Sequence, residues 1–98
     1  MSIFTIVAGS GGSATDGNGA VWSFGAMAGG PGEAIVQKGG TSIGQTASKI
    51  YINTALTNSA FLQASDGGWR GDAGGGNWFA VPVAAGGMPT AAPTRPPG

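Results

Sequence analysis

The chain has 98 residues, of which 21 are Gly and 6 are Pro, while only 4 are basic and 4 acidic. This length supports one domain, and a charged share of 8%, against the usual quarter, excludes disorder driven by charge repulsion. The glycines cluster, as in Gly29-Gly30, Gly39-Gly40 and Gly74-Gly75-Gly76, which excludes collagen and its strict third-position period.

The chain contains no Cys and no His. Disulfide frameworks, thiol nucleophiles, Cys/His zinc sites and imidazole bases are therefore excluded, and neither a metal nor a cofactor is expected. Net charge is zero, and Lys38, Lys49, Arg70 and Arg95 are scattered. Nucleic acid is not an expected partner, because its capture needs clustered cations. No apolar run approaches the roughly 18 residues of a helical membrane span, so no membrane partner is expected either. The first apolar run covers residues 3–8 without a basic start, so a secretory signal peptide is not expected. Apolar residues make up 41% of the chain, but 16 of them are Ala, which leaves a thin core. Small domains without disulfides or metals commonly gain burial by oligomerising, and subunit contacts are expected here.

In chain order, the glycine-punctuated runs read as short antiparallel strands at residues 3–8, 20–24, 34–38, 49–53, 60–64 and 77–83. The run at 3–8 is apolar on both faces apart from Thr5, so it is either a central strand or a strand covered by another subunit. In 20–24, Trp22 and Phe24 share a face. In 49–53, Ile50 and Ile52 face one way and Lys49, Tyr51 and Asn53 the other. Between the strands lie turn clusters such as Asp16-Gly17-Asn18-Gly19 and Asp66-Gly67-Gly68, where Gly and Asn accept positive φ. The expected fold is all-β, a small antiparallel β-sandwich or open barrel of six to seven short strands. Residues 1–83 form the body and residues 84–98 an extended arm rich in Pro, Ala and Gly. Such an arm has too few apolar groups to fold on its own, and an ordered one is expected on a neighbour.

Several constellations invite a chemical reading. Arg70-Gly71-Asp72 reproduces the integrin-binding tripeptide, against which stands a Gly-rich loop with a local Arg–Asp contact. Asp16-Gly17-Asn18-Gly19 resembles the start of a calcium loop but lacks the closing Glu, and reads as a turn. Asp66 and Asp72 flank Trp69 like paired carboxylates beside a sugar platform, yet only Asp16 and Glu33 complete the acids. The chain is expected not to be an enzyme. Among the three tryptophans, Trp22 reads as core, and Trp78-Phe79 puts one ring in and one out. Trp69 lies amid Gly67, Gly68 and Gly71 and is the ring most open to solvent, but with few large residues to spare it is expected to cap the core. Trp69, Arg70 and Asp72 are thus the candidate ligand or surface contacts. Ile3, Phe4, Ile6, Pro89, Pro93, Arg95 and Pro96 are the candidate assembly contacts.

The order of these pieces resembles a small β-rich module of tail fibres, head fibres and related virion proteins of tailed phages, and of some secreted bacterial proteins. The matching residues are Asp16, Gly19, Trp22 and Phe24, the stretch 35–40 ending in Gly39-Gly40, and Ile50-Tyr51-Ile52-Asn53. Asp66-Gly67-Gly68-Trp69 and Trp78 close the series, so the likeness spans about residues 15–82. The resemblance departs at Arg70, where such modules often carry a second aromatic beside the tryptophan. It implies a structural virion protein, a capsid decoration or head-fibre subunit. This would be assembled in the host cytoplasm, homo-oligomeric, and mounted on a major capsid or tail protein. The competing class is a carbohydrate- or receptor-binding module of a tail fibre or secreted protein, with Trp69 and its loop meeting a surface glycan.

Overall fold

Regular alternation of β-branched or aromatic side chains with polar ones favours a pleated strand over a helix. The computed structural model describes residues 3–28, 32–56, 59–72, 78–84 and 89. Nine strands run through the described residues: β1 (Ile3–Val7), β2 (Ser13–Thr15), β3 (Val21–Met27), β4 (Ala34–Lys38), β5 (Thr41–Ala47), β6 (Lys49–Asn53), β7 (Ala60–Gln63), β8 (Trp69–Asp72) and β9 (Trp78–Ala80). The fold is all-β, as expected, with more strands than the six or seven anticipated. The stretches at 34–38 and 49–53 form with the expected bounds. Residues 69–72, expected in a Gly-rich loop, and residues 13–15 and 41–47, not among the expected strands, are drawn into strands by pairing with their neighbours.

The strands make two antiparallel sheets, one in the order β1-β6-β7-β8-β9 and the other β2-β3-β4-β5. Strands β2–β5 and β6–β9 are each a meander of consecutive hairpins, and β1 joins the larger sheet by pairing with β6. The chain passes from one sheet to the other at Ser48. Its N–H donates to Gln63 O at 2.8 Å, and its carbonyl accepts from Ala8 N–H at 2.9 Å. Register shifts between Phe24 and Met27 on β3, and between Ile35 and Gln37 on β4, bend the smaller sheet.

Alternation then divides the side chains. Ile6, Ile50, Ile52, Ala60 and Leu62 from the larger sheet meet Ala14, Trp22, Val36 and Ala47 from the smaller one in a single core. The opposite face of the larger sheet carries a second cluster, Tyr51, Phe61 and Trp69, against which Leu56 and Val81 pack. Tyr51 thus lies opposite Ile50 and Ile52, as the alternation of 49–53 predicts, but it is buried too. Two polar ties close the ends. Ser59 Oγ accepts from Gly17 N–H at 2.8 Å, and Glu33 Oε2 accepts from Ser65 N–H at 3.0 Å. In the arm, Ala84 and Pro89 are described. Pro89 is buried and forms an antiparallel bridge with Val83. Pro93, Arg95 and Pro96 lie outside the described residues.

Candidate interaction surface

The two sets of residues singled out by sequence occupy different places. Trp69, Arg70 and Asp72 belong to β8, an inner strand of the larger sheet, and not to a displaying loop. Successive side chains of a strand point to opposite faces. Trp69, paired with Gln63, therefore joins the Tyr51–Phe61 face. Arg70, opposite Leu62, and Asp72, opposite Trp78, turn toward the face that meets the smaller sheet. The three residues do not converge. Trp69 is 4% exposed, its ring 5.7 Å from that of Tyr51 in an edge arrangement, so its place is in a core and not open to solvent.

The charged groups of this region are spoken for individually. Arg70 Nη2 lies 3.5 Å from Asp66 Oδ2, so its partner is the turn aspartate and not the Asp72 of its own tripeptide. Asp72 is buried, and its Oδ2 lies 3.4 Å from Lys38 Nζ on β4, joining the two sheets. Lys38 Nζ also stands 5.3 Å from the centre of the Trp22 ring, a cation–π distance. Trp22 and Trp78 meet edge to face with centroids 5.7 Å apart. Asp66 and Asp72, the pair considered as carboxylates beside a sugar, are held by different cations in different surroundings. Asp16 closes the 16–19 turn: its Oδ1 accepts from the N–H groups of Asn18 and Ala20, and its Oδ2 from Trp22 Nε1. Among the described residues no group of three or more acidic side chains stands together as a metal site would require.

The second set lies on β1, at one edge of the larger sheet. Ile3 is 58% exposed, Phe4 46% and Val7 48%, whereas Ile6 is buried in the core against Ile50 and Ile52. The two-faced apolar run at 3–8 is therefore an edge strand, not a central one. One of its faces is partly used for the core and the other is open. Sequence reasoning passed over two contributors to this surface. Val7 is the last residue of β1 and lies inside the same run. Met27, 54% exposed, lies beside the turn after β1, where a side chain at Gly9 would touch its sulfur. Carrying the alternation of β3 past Phe24 would have found Met27, but Gly25 and the bulge interrupt it. No protein-family model, curated protein or solved structure matches the chain.

Proposed function

We propose that the chain is a non-catalytic structural subunit of a tailed-phage particle, a capsid decoration or head-fibre protein that works through contacts between subunits. Its finer architecture in this reading is a small antiparallel β-sandwich, with the segment 84–98 reaching to a major capsid or tail protein. The observation that carries the assembly role is the edge strand β1, with Ile3, Phe4 and Val7 all about half exposed in one five-residue strand. Sheet edges of soluble proteins are ordinarily guarded by charge, proline or a bulge, and an unguarded apolar edge is a place where another chain adds. The virion context comes from the Asp16-to-Trp78 order of motifs. Trp69, the ring on which the glycan-binding alternative rests, is buried, and this supports the assembly reading over that alternative.

Two measurements test the reading. Sedimentation of the purified protein is expected to show association that Ile3→Lys and Val7→Lys together abolish while the fold persists. A monomer at every concentration, indifferent to these changes, would overturn the assembly role. Mass spectrometry of particles purified from the encoding source is expected to find the chain in many copies per particle. Its absence from them would overturn the virion role.

A further inference from the structure

We propose that β1 pairs with β1 of a second copy of this chain, antiparallel, across a two-fold axis that passes by Thr5. The inference rests on the assembly role above and names its partner.

The four sheet edges differ in how they discourage pairing. β2 and β9 are three residues each. β5 is longer, but it carries Thr41, Ser42, Gln45 and Thr46, and Gly44 at φ +77° interrupts it near the register shift of the β4–β5 pair. β1 has none of these devices. Its five residues pair with β6 in unbroken register and include no charge, no proline and no glycine. A strand of this kind is open to addition of a further strand.

The phase of the ladder decides which backbone groups are on offer. Ala8 N–H donates to Ser48 O at 2.9 Å on the β1 side of the sheet, and Asn53 N–H donates to Ser59 O at 2.9 Å on the β7 side. In an antiparallel ladder alternate residues bond to one side. The even-numbered residues of β6 therefore face β1, and Phe4, Ile6 and Ala8 face β6. Ile3, Thr5 and Val7 turn their N–H and C=O groups to the open edge. Among the described residues the one contact these outward groups make is Val7 O, which accepts from Ser10 N–H at 3.0 Å.

One register uses all three outward residues of both copies. Thr5 stands opposite Thr5, and Ile3 of each copy opposite Val7 of the other. Ile3 and Val7 are the exposed apolar β-branched residues of the strand, and Thr–Thr and β-branched pairs are favourable directly across an antiparallel pair. The other face then sets Phe4 opposite Ile6. A strand that is complementary to itself under a two-fold rotation fits a second copy better than an unrelated sequence, and closes the contact at two subunits. The formal net charge is zero, so identical copies meet without long-range repulsion.

Charge exchange at the axis tests the pairing. Thr5→Lys and Thr5→Glu place like charges opposite one another, and each variant alone is expected to sediment as a monomer. An equimolar mixture of the two is expected to recover the dimer. A second test uses the absence of native cysteine. Cα atoms of a hydrogen-bonded antiparallel pair lie about 5.5 Å apart, within the reach of a disulfide. Thr5→Cys is expected to oxidise to a covalent dimer. Ile3→Cys and Val7→Cys are expected to link when mixed and not when oxidised separately, because each is offset from its own copy by about 13 Å. If the charge variants stay monomeric when mixed and Thr5→Cys does not link, while wild-type association still depends on Ile3 and Val7, self-pairing is overturned and the assembly role stands with another partner. If the wild-type protein does not associate at all, both are overturned.

Discussion

Asp16 Oδ2 accepts the indole N–H of Trp22 at 2.7 Å, and the other oxygen of the same carboxylate accepts the backbone N–H groups of Asn18 and Ala20 at 2.8 and 3.0 Å. One side chain thus shapes the β2–β3 turn and fixes the orientation of the largest fully buried residue in the core. The spacing of Asp16, Gly19 and Trp22 has a physical reason in this arrangement. The turn must bring the strand back so that the ring, on the next strand, returns to the carboxylate that closes the turn.

Asp16→Asn tests that reason. An amide can replace one accepting oxygen but must place its NH₂ where the other was, facing a donor. The expected loss is about 2 kcal/mol, as for a buried group left without its hydrogen bond. Urea unfolding checks it: a midpoint within error of the wild type would show that the carboxylate is dispensable.

Gly19 carries the backbone side of the same turn. Its φ is +87°, and a methyl group there would meet nothing within 4 Å, so any cost of substitution belongs to the backbone alone. Gly19→Ala is expected to destabilise by about 1–2 kcal/mol, the penalty of the left-handed region for an L-residue. Gly17→Ala, in the same turn without a positive φ and with Ser59 Oγ at an ordinary 3.4 Å, is expected to cost less. Reversal of that order in thermal melts would contradict the turn geometry.

Lys38 and Asp72 join the sheets through a carboxylate that is 5% exposed and a lysine that is 38% exposed. Removing the cation leaves a buried charge without this partner, which costs more than removing both. Lys38→Met is expected to destabilise more than the double change Lys38→Met with Asp72→Asn, with a coupling of about 1 kcal/mol in the double-mutant cycle. Additive single effects would show that the contact contributes nothing across the sheets.

The elements legible in the sequence were those whose own side chains carry the pattern. Ala34–Lys38 and Lys49–Asn53 alternate, are flanked by turns, and form where expected. The strand at Thr41–Ala47 escaped because an exposed edge needs no apolar face, and five of its seven residues are exposed. The strand at Trp69–Asp72 escaped because Gly67, Gly68 and Gly71 read as loop. Its extended form comes from lying between Phe61-Leu62-Gln63 and Trp78-Phe79-Ala80, a relationship no local window contains. The same long-range pairing decides the candidate site. The apolar nature of residues 3–8 is plain in the sequence. Whether they lie inside or at an edge depends on β1 pairing with β6 alone, a strand more than forty residues along the chain.

Trp69 gives the sharpest contrast between a display role and a core role. Its ring is packed by Tyr51 and Phe61, yet its indole N–H is buried with no acceptor among the described residues. The ring therefore stabilises through contact while the N–H bears an uncompensated loss of hydration. Trp69→Ala should remove the contact and leave a cavity, costing about 3–5 kcal/mol, a large share of the stability of about 5–15 kcal/mol ordinary for a domain of this kind. Trp69→Phe keeps most of the ring and removes the unpaired donor, so its cost should be much smaller, about 1 kcal/mol. Chemical denaturation of the two variants separates the roles. If Trp69→Ala keeps the wild-type midpoint, the ring is not part of the core. If Trp69→Phe is as damaging as Trp69→Ala, the indole N–H has an acceptor in solution and the packing account of this face fails.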